Sequence, residues 1–127
     1  MKPAQMLVRA IGGVMLALGL VIWTGQYPGL IPVHMLVGVV FVLSLWSVAY
    51  LAARAGAPRG LAVGAVVLGL ILPIFGLTQQ QIAPGDAHVV IQVIHLALGL
   101  SAIGIGEALG AAGRRSSSAT VGAARRP

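Results

Sequence analysis

The residues of this 127-residue chain most able to do chemistry are its histidines, and two of the three recur in one pattern. His34 opens HMLVG (34–38) and His95 opens HLALG (95–99), each followed four positions on by a glycine, Gly38 and Gly99. On a helix that spacing puts the glycine on the same face as the imidazole, one turn away. Two imidazoles brought to one depth from opposite sides are what a bis-histidine site for a planar metal cofactor requires, with the bare glycine backbones leaving room for its flat faces. The chain has no cysteine, which excludes disulfide frameworks, thiolate metal centres and thioether attachment of a cofactor. It also contains no phosphate loop, nucleophile elbow, HExxH helix or paired carboxylate.

The elements that must carry these residues follow from composition. Apolar residues make up 58% of the chain and charged residues only 8%, with a mean hydropathy of +1.00. Soluble domains carry about a quarter charged residues, so a soluble enzyme is excluded. A nucleic-acid binder is excluded too, because the net charge of +6 is not laid along a polar face. The charged residues are Lys2, Arg9, Arg54, Arg59, Asp86, Glu107, Arg114, Arg115, Arg125 and Arg126, leaving 10–53, 60–85 and 87–106 free of charge. Gly25, Pro28, Gly29 and Pro32 divide the first stretch in two. The pattern predicts helices over about 6–24, 32–53, 60–79 and 87–110, four lengths that cross a bilayer. The fold class expected is all-α, a polytopic membrane four-helix bundle.

All eight basic residues fall at the N-terminus, in the 54–59 loop or in the tail, while loops 25–31 and 80–86 have none. By the positive-inside rule both termini are cytoplasmic. The first span exits through Trp23, Thr24, Gly25, Gln26 and Tyr27 without a small-x-small cleavage site, so it reads as a helix rather than a signal peptide. Residues 1–112 form the four-span domain, and the tail 113–127, GRRSSSATVGAARRP, reads as a disordered basic segment drawn to anionic headgroups. Usage of Ala, Gly, Val and Arg is compatible with a bacterial inner membrane.

The halves resemble each other. ALGLVI (17–22) aligns with VLGLIL (67–72), placing Gly19 over Gly69 and Arg9 over Arg59, and farther on His34 aligns with His95, Gly38 with Gly99 and Arg54 with Arg115. Two helix hairpins running in the same direction make a parallel repeat about an axis along the membrane normal, with helices two and four facing each other across it. From His34 to Arg54 and from His95 to Arg114 the rise is roughly 30 and 28 Å, so the two rings are expected at one level toward the outer side. Haem b, held without covalent bonds, is the cofactor this arrangement suits.

With those residues in place, the chain resembles the small membrane b-type cytochromes, four-helix bundles with His-ligated haem in the core. The resemblance covers the four spans and rests on His34, Gly38, His95 and Gly99. It implies axial ligation by His34 and His95 and a role in electron transfer or haem handling rather than an enzyme. Many members of that class hold two haems on four histidines. Three histidines allow one bis-His site, which favours exchange at the outer surface, quinol chemistry, or haem sensing. Partners expected are the lipid bilayer and a quinone or outer-face redox partner. A homodimer would bring a second haem alongside.

Other polar positions have plain readings as well. His88 lies two turns above His95 and is either a loop histidine beside a helix capped by Asp86 or a contact to a haem propionate. Gln79, Gln80 and Gln81 end the third helix, with Gln79 at the height of the His pair, where an amide could bind a propionate or a quinone carbonyl. Glu107 is expected to pair with Arg114 or to snorkel to the surface. Pro73 should kink the third helix and free the carbonyl of Gly69, and Met15 and Met35 read as apolar filler. Two other functions fit the spans: a small transporter or channel-like protein with Gln79, His88 and Glu107 along its path, or an accessory subunit whose glycine faces serve only helix contacts.

Overall fold

A computed structural model describes residues 2–124; Arg125 and Arg126 of the basic tail lie outside the described residues. Four helices follow in order: α1 Lys2–Trp23, α2 Ile31–Arg54, α3 Arg59–Ile82 and α4 His88–Ala124. All four are long and apolar enough to cross a membrane, and no strand occurs among the described residues.

The sequence explains where the helices stop. α1 ends where Gly25 takes φ +74 and bonds back to Ile22, with the Thr24 hydroxyl donating to the Val21 carbonyl at 2.7 Å. At the end of α2, Gly56 stands at φ +86 and its N–H reaches Ala53, while the N–H of Ala57 reaches Ala52 at 2.9 Å. These two bonds form a Schellman motif, which needs a left-handed residue at that position. Pro58 then prevents the helix from continuing, and α3 starts at once. Short 3-10 turns, Pro28–Leu30 and Gly85–Ala87, lead into α2 and α4. Asp86 lies inside the second of these, whose start carries no side-chain cap.

The tail departs from expectation. α4 continues beyond residue 110 to Ala124 rather than giving way to a disordered segment at 113. The stretch holds Ala, Arg and Ser with no proline before Pro127. The hydroxyls of Ser116, Ser117 and Ser118 donate to the carbonyls of Ala112, Gly113 and Arg114, one turn back. A polar composition suggests disorder, but adding residues to a helix already nucleated by its neighbours costs far less than starting one, and the serine hydroxyls find acceptors one turn back.

Each helix packs on its neighbours in the ring α1, α2, α3, α4, and α2 also touches α4 across the centre. α1 and α3 do not meet among the described residues. The bundle is therefore a rhombus whose short diagonal joins the two histidine-bearing helices. Its core is concentrated at the end carrying the basic residues, around Val8, Leu45, Val48, Ala102 and Leu109. No residue from 13 to 40 is buried, and Ile91 is the sole buried residue from 73 to 101. Fully buried residues thus concentrate at one end of the bundle. Its outside is apolar: Leu36 is 68% exposed, Ile74 62% and Val63 60%. An apolar girdle of that extent calls for lipid rather than water around it.

Candidate functional site

His34 lies in the first turn of α2 and His95 in the second turn of α4. Because those helices share the short diagonal, the rings meet across it, with centroids 6.4 Å apart and planes at 52°. The expectation of two imidazoles at one level holds. Two imidazoles on opposite sides of one metal ion have centroids about 6 Å apart, given metal–nitrogen bonds of about 2 Å. The observed spacing of 6.4 Å is close to that value.

The surroundings of the two rings match. A Cβ at Gly19 of α1 would stand 3.4 Å from Cε1 of His34, and one at Gly76 of α3 would stand 3.3 Å from Cε1 of His95. Each imidazole is therefore seated against a glycine of its hairpin partner. The ring of Phe75 also stacks on His95, with centroids 5.9 Å apart and planes 8° from parallel. The Nδ1 atoms of both histidines are buried and have no hydrogen-bond partner, an arrangement that costs stability unless something else satisfies them. Both rings thus keep a buried nitrogen without a partner while helices on either side pack close against them.

The contacts correct the repeat register. Sequence similarity lays Gly19 over Gly69, but the equivalent contacts are Gly19 on His34 and Gly76 on His95. Gly69 instead faces Trp46, whose indole would collide with a Cβ there. Of the glycines expected to line a porphyrin, Gly99 has nothing within 4 Å of its Cβ position, whereas the methyl of Met15 stands 3.2 Å from that of Gly38. A flexible thioether therefore fills the face of Gly38.

Outside the pair, the expected site residues disperse. His88 borders an open recess of about 310 Å³ with Gln80, Pro84 and Gly85, so Gln80 rather than Gln79 shares its surroundings. Gln79 is half-buried on α3. Glu107 does not pair with Arg114. Its carboxylate takes the guanidinium of Arg9 on both oxygens, at 2.7 and 3.0 Å, and a hydrogen bond of 2.8 Å from the Gln5 amide. Arg114 donates to the same Gln5 through its side-chain oxygen. Gln5 is buried against Gly110, where any Cβ would strike its amide. This network ties α1 to α4 about 18 Å along α4 from His95, with buried Ala102 between them. Gln79, His88 and Glu107 thus do not converge on one polar path.

Gly76, Phe75, Trp46 and Gln5 carry contacts that the sequence did not single out. Gln5 had a signal: it is a polar residue on the face shared by Val8 and Gly12, the other buried positions of α1. Gly76 and Phe75 had none beyond their position just past Pro73. Among the described residues, no group of three or more His, Cys, Asp or Glu could hold a metal ion. Compared with protein families, curated proteins and solved structures, the chain matches none.

Proposed function

We propose that this is a multi-pass protein of a bacterial inner membrane, with both termini cytoplasmic, that holds one haem b through His34 and His95 and exchanges electrons or delivers haem near the outer face. The observation that carries this reading is the pair of partnerless imidazoles 6.4 Å apart across the short diagonal. Haem bound there would supply a one-electron redox change.

The chain's own contribution is orientation and exclusion. Gly19 and Gly76 let the helices approach each ring closely, and Phe75 fixes the plane of His95 by stacking. The spans around the pair are apolar, and apolar surroundings raise the cost of any charge there. His34 sits in the first turn of α2, close to the end of the bundle whose loops lack basic residues, so exchange with a quinone or an outer-face redox partner would need only a short path. The orientation is supported by the clustering of Lys2, Arg54, Arg59 and Arg114 at the opposite end. The dispersal of Gln79, His88 and Glu107 disfavours the transporter reading.

The test is an absorption spectrum of the purified chain after haem titration in detergent. A Soret band that shifts on reduction, and is lost in both His34→Ala and His95→Ala, is the expected result. An unaltered spectrum in either variant rejects that residue as a ligand.

A further inference from the structure

The two imidazoles are alike in their glycine seats but not in their restraint. The ring of Phe75 lies nearly parallel to that of His95, with centroids 5.9 Å apart and planes at 8°, the offset stacking that aromatic pairs favour. Among the described residues, His34 has no ring against it other than that of His95. The backbones differ in the same direction. Segment 88–94 of α4 precedes His95, whereas His34 lies in the first turn of α2, which starts without a side-chain cap. Helix ends open more readily than helix interiors. Side chain and backbone thus both hold His95 more firmly than His34.

An iron held by two imidazoles has no axial position for another ligand until one of them leaves. The cost of charge between these apolar spans selects a neutral ligand over an anion. We infer that His95 is the fixed ligand and His34 the one that leaves, so that the haem this pair would hold takes a small neutral diatomic molecule in the place of His34. Phe75 is then the positioning residue that makes the pair unequal. The inequality belongs to the chain itself, and only its consequence for a ligand rests on the haem reading.

The first arm of the experiment uses the full chain in detergent micelles without cofactor, with ring-labelled histidine. His34→Ala, His95→Ala and His88→Gln assign the three signals. By NMR relaxation, ring reorientation should be about two- to tenfold faster for His34 than for His95, the factor a stacked pair is worth. Phe75→Leu keeps apolar bulk and removes the stack, so it should quicken His95 and leave His34 unchanged. Equal motion of the two rings in the parent chain, or an equal rise of both in Phe75→Leu, overturns the inference. The second arm loads haem, reduces it and adds carbon monoxide, with uptake followed by the Soret band. The rate, set by the departure of His34, should rise in Pro32→Gly, which loosens the first turn of α2, and stay unchanged in Phe75→Leu. A rate unmoved by Pro32→Gly, a rate raised by Phe75→Leu, or no uptake overturns the inference. If the chain takes up no haem, the haem reading fails, and the ring motions still decide the inequality.

Discussion

Replacing Gly69 by alanine tests whether close approach of helices, rather than apolar composition, sets the geometry of this bundle. The added methyl would occupy space now held by the Trp46 indole, on the buried α2–α3 contact. Forcing atoms into such a site costs about 1–3 kcal/mol through shifted side chains and backbone. Against this, alanine is favoured over glycine within a helix by about 1 kcal/mol. The net expectation is a loss of about 0–2 kcal/mol. Gly104→Ala is the matched control: it lies within α4 and has nothing within 4 Å of its Cβ position, so only the favourable contribution of about 1 kcal/mol applies. The two variants should therefore differ by about 1–3 kcal/mol in opposite directions from the parent. Unfolding in mixed detergent, followed by circular dichroism, measures both, and the emission of Trp46 should shift in Gly69→Ala alone. Equal stability of the two variants would refute the argument, because it would mean that the indole is not held against that backbone.

Gln5→Leu should destabilise the chain by about 1–3 kcal/mol, because Glu107 and Arg114 each lose a partner inside the α1–α4 contact, while Glu107→Gln should cost less, its ion pair being largely exposed. Unfolding midpoints of the two variants rank them. Met15→Ala should raise haem affinity in titration by clearing the face of Gly38; unchanged affinity would place the macrocycle elsewhere. Because the chain has no cysteine, single substitutions report orientation cleanly: Gln80→Cys should react with an impermeant maleimide added outside spheroplasts, and Ser118→Cys should react only after lysis. The reverse pattern would invert the topology.

What could be read from the sequence was whatever depends on translation along a helix. Charge-free stretches fix span length, and counting from Arg54 and Arg114 placed His34 and His95 at one height, as their ring contact bears out. What could not be read depends on rotation and on which helix lies opposite. Glu107 was given to Arg114 because the two share a face of α4. The partner it takes is Arg9, across a contact between the first and last helices that local periodicity cannot reveal. Gly19 and Gly69 aligned through similar apolar flanks, yet the residue equivalent in contact to Gly19 is Gly76, two turns on. In a span where nearly every side chain is apolar, a shift by two turns alters the hydrophobic pattern very little. Register must then be set by shape, through the places where a large side chain meets a glycine: Trp46 on Gly69, Val8 on Gly106, Gln5 on Gly110 and the two imidazoles on Gly19 and Gly76. Such pairs are how membrane helices choose contacts when no hydrophobic difference separates one arrangement from another. The glycines most informative about the site are therefore not those one turn from each histidine, but those on the helices across from them.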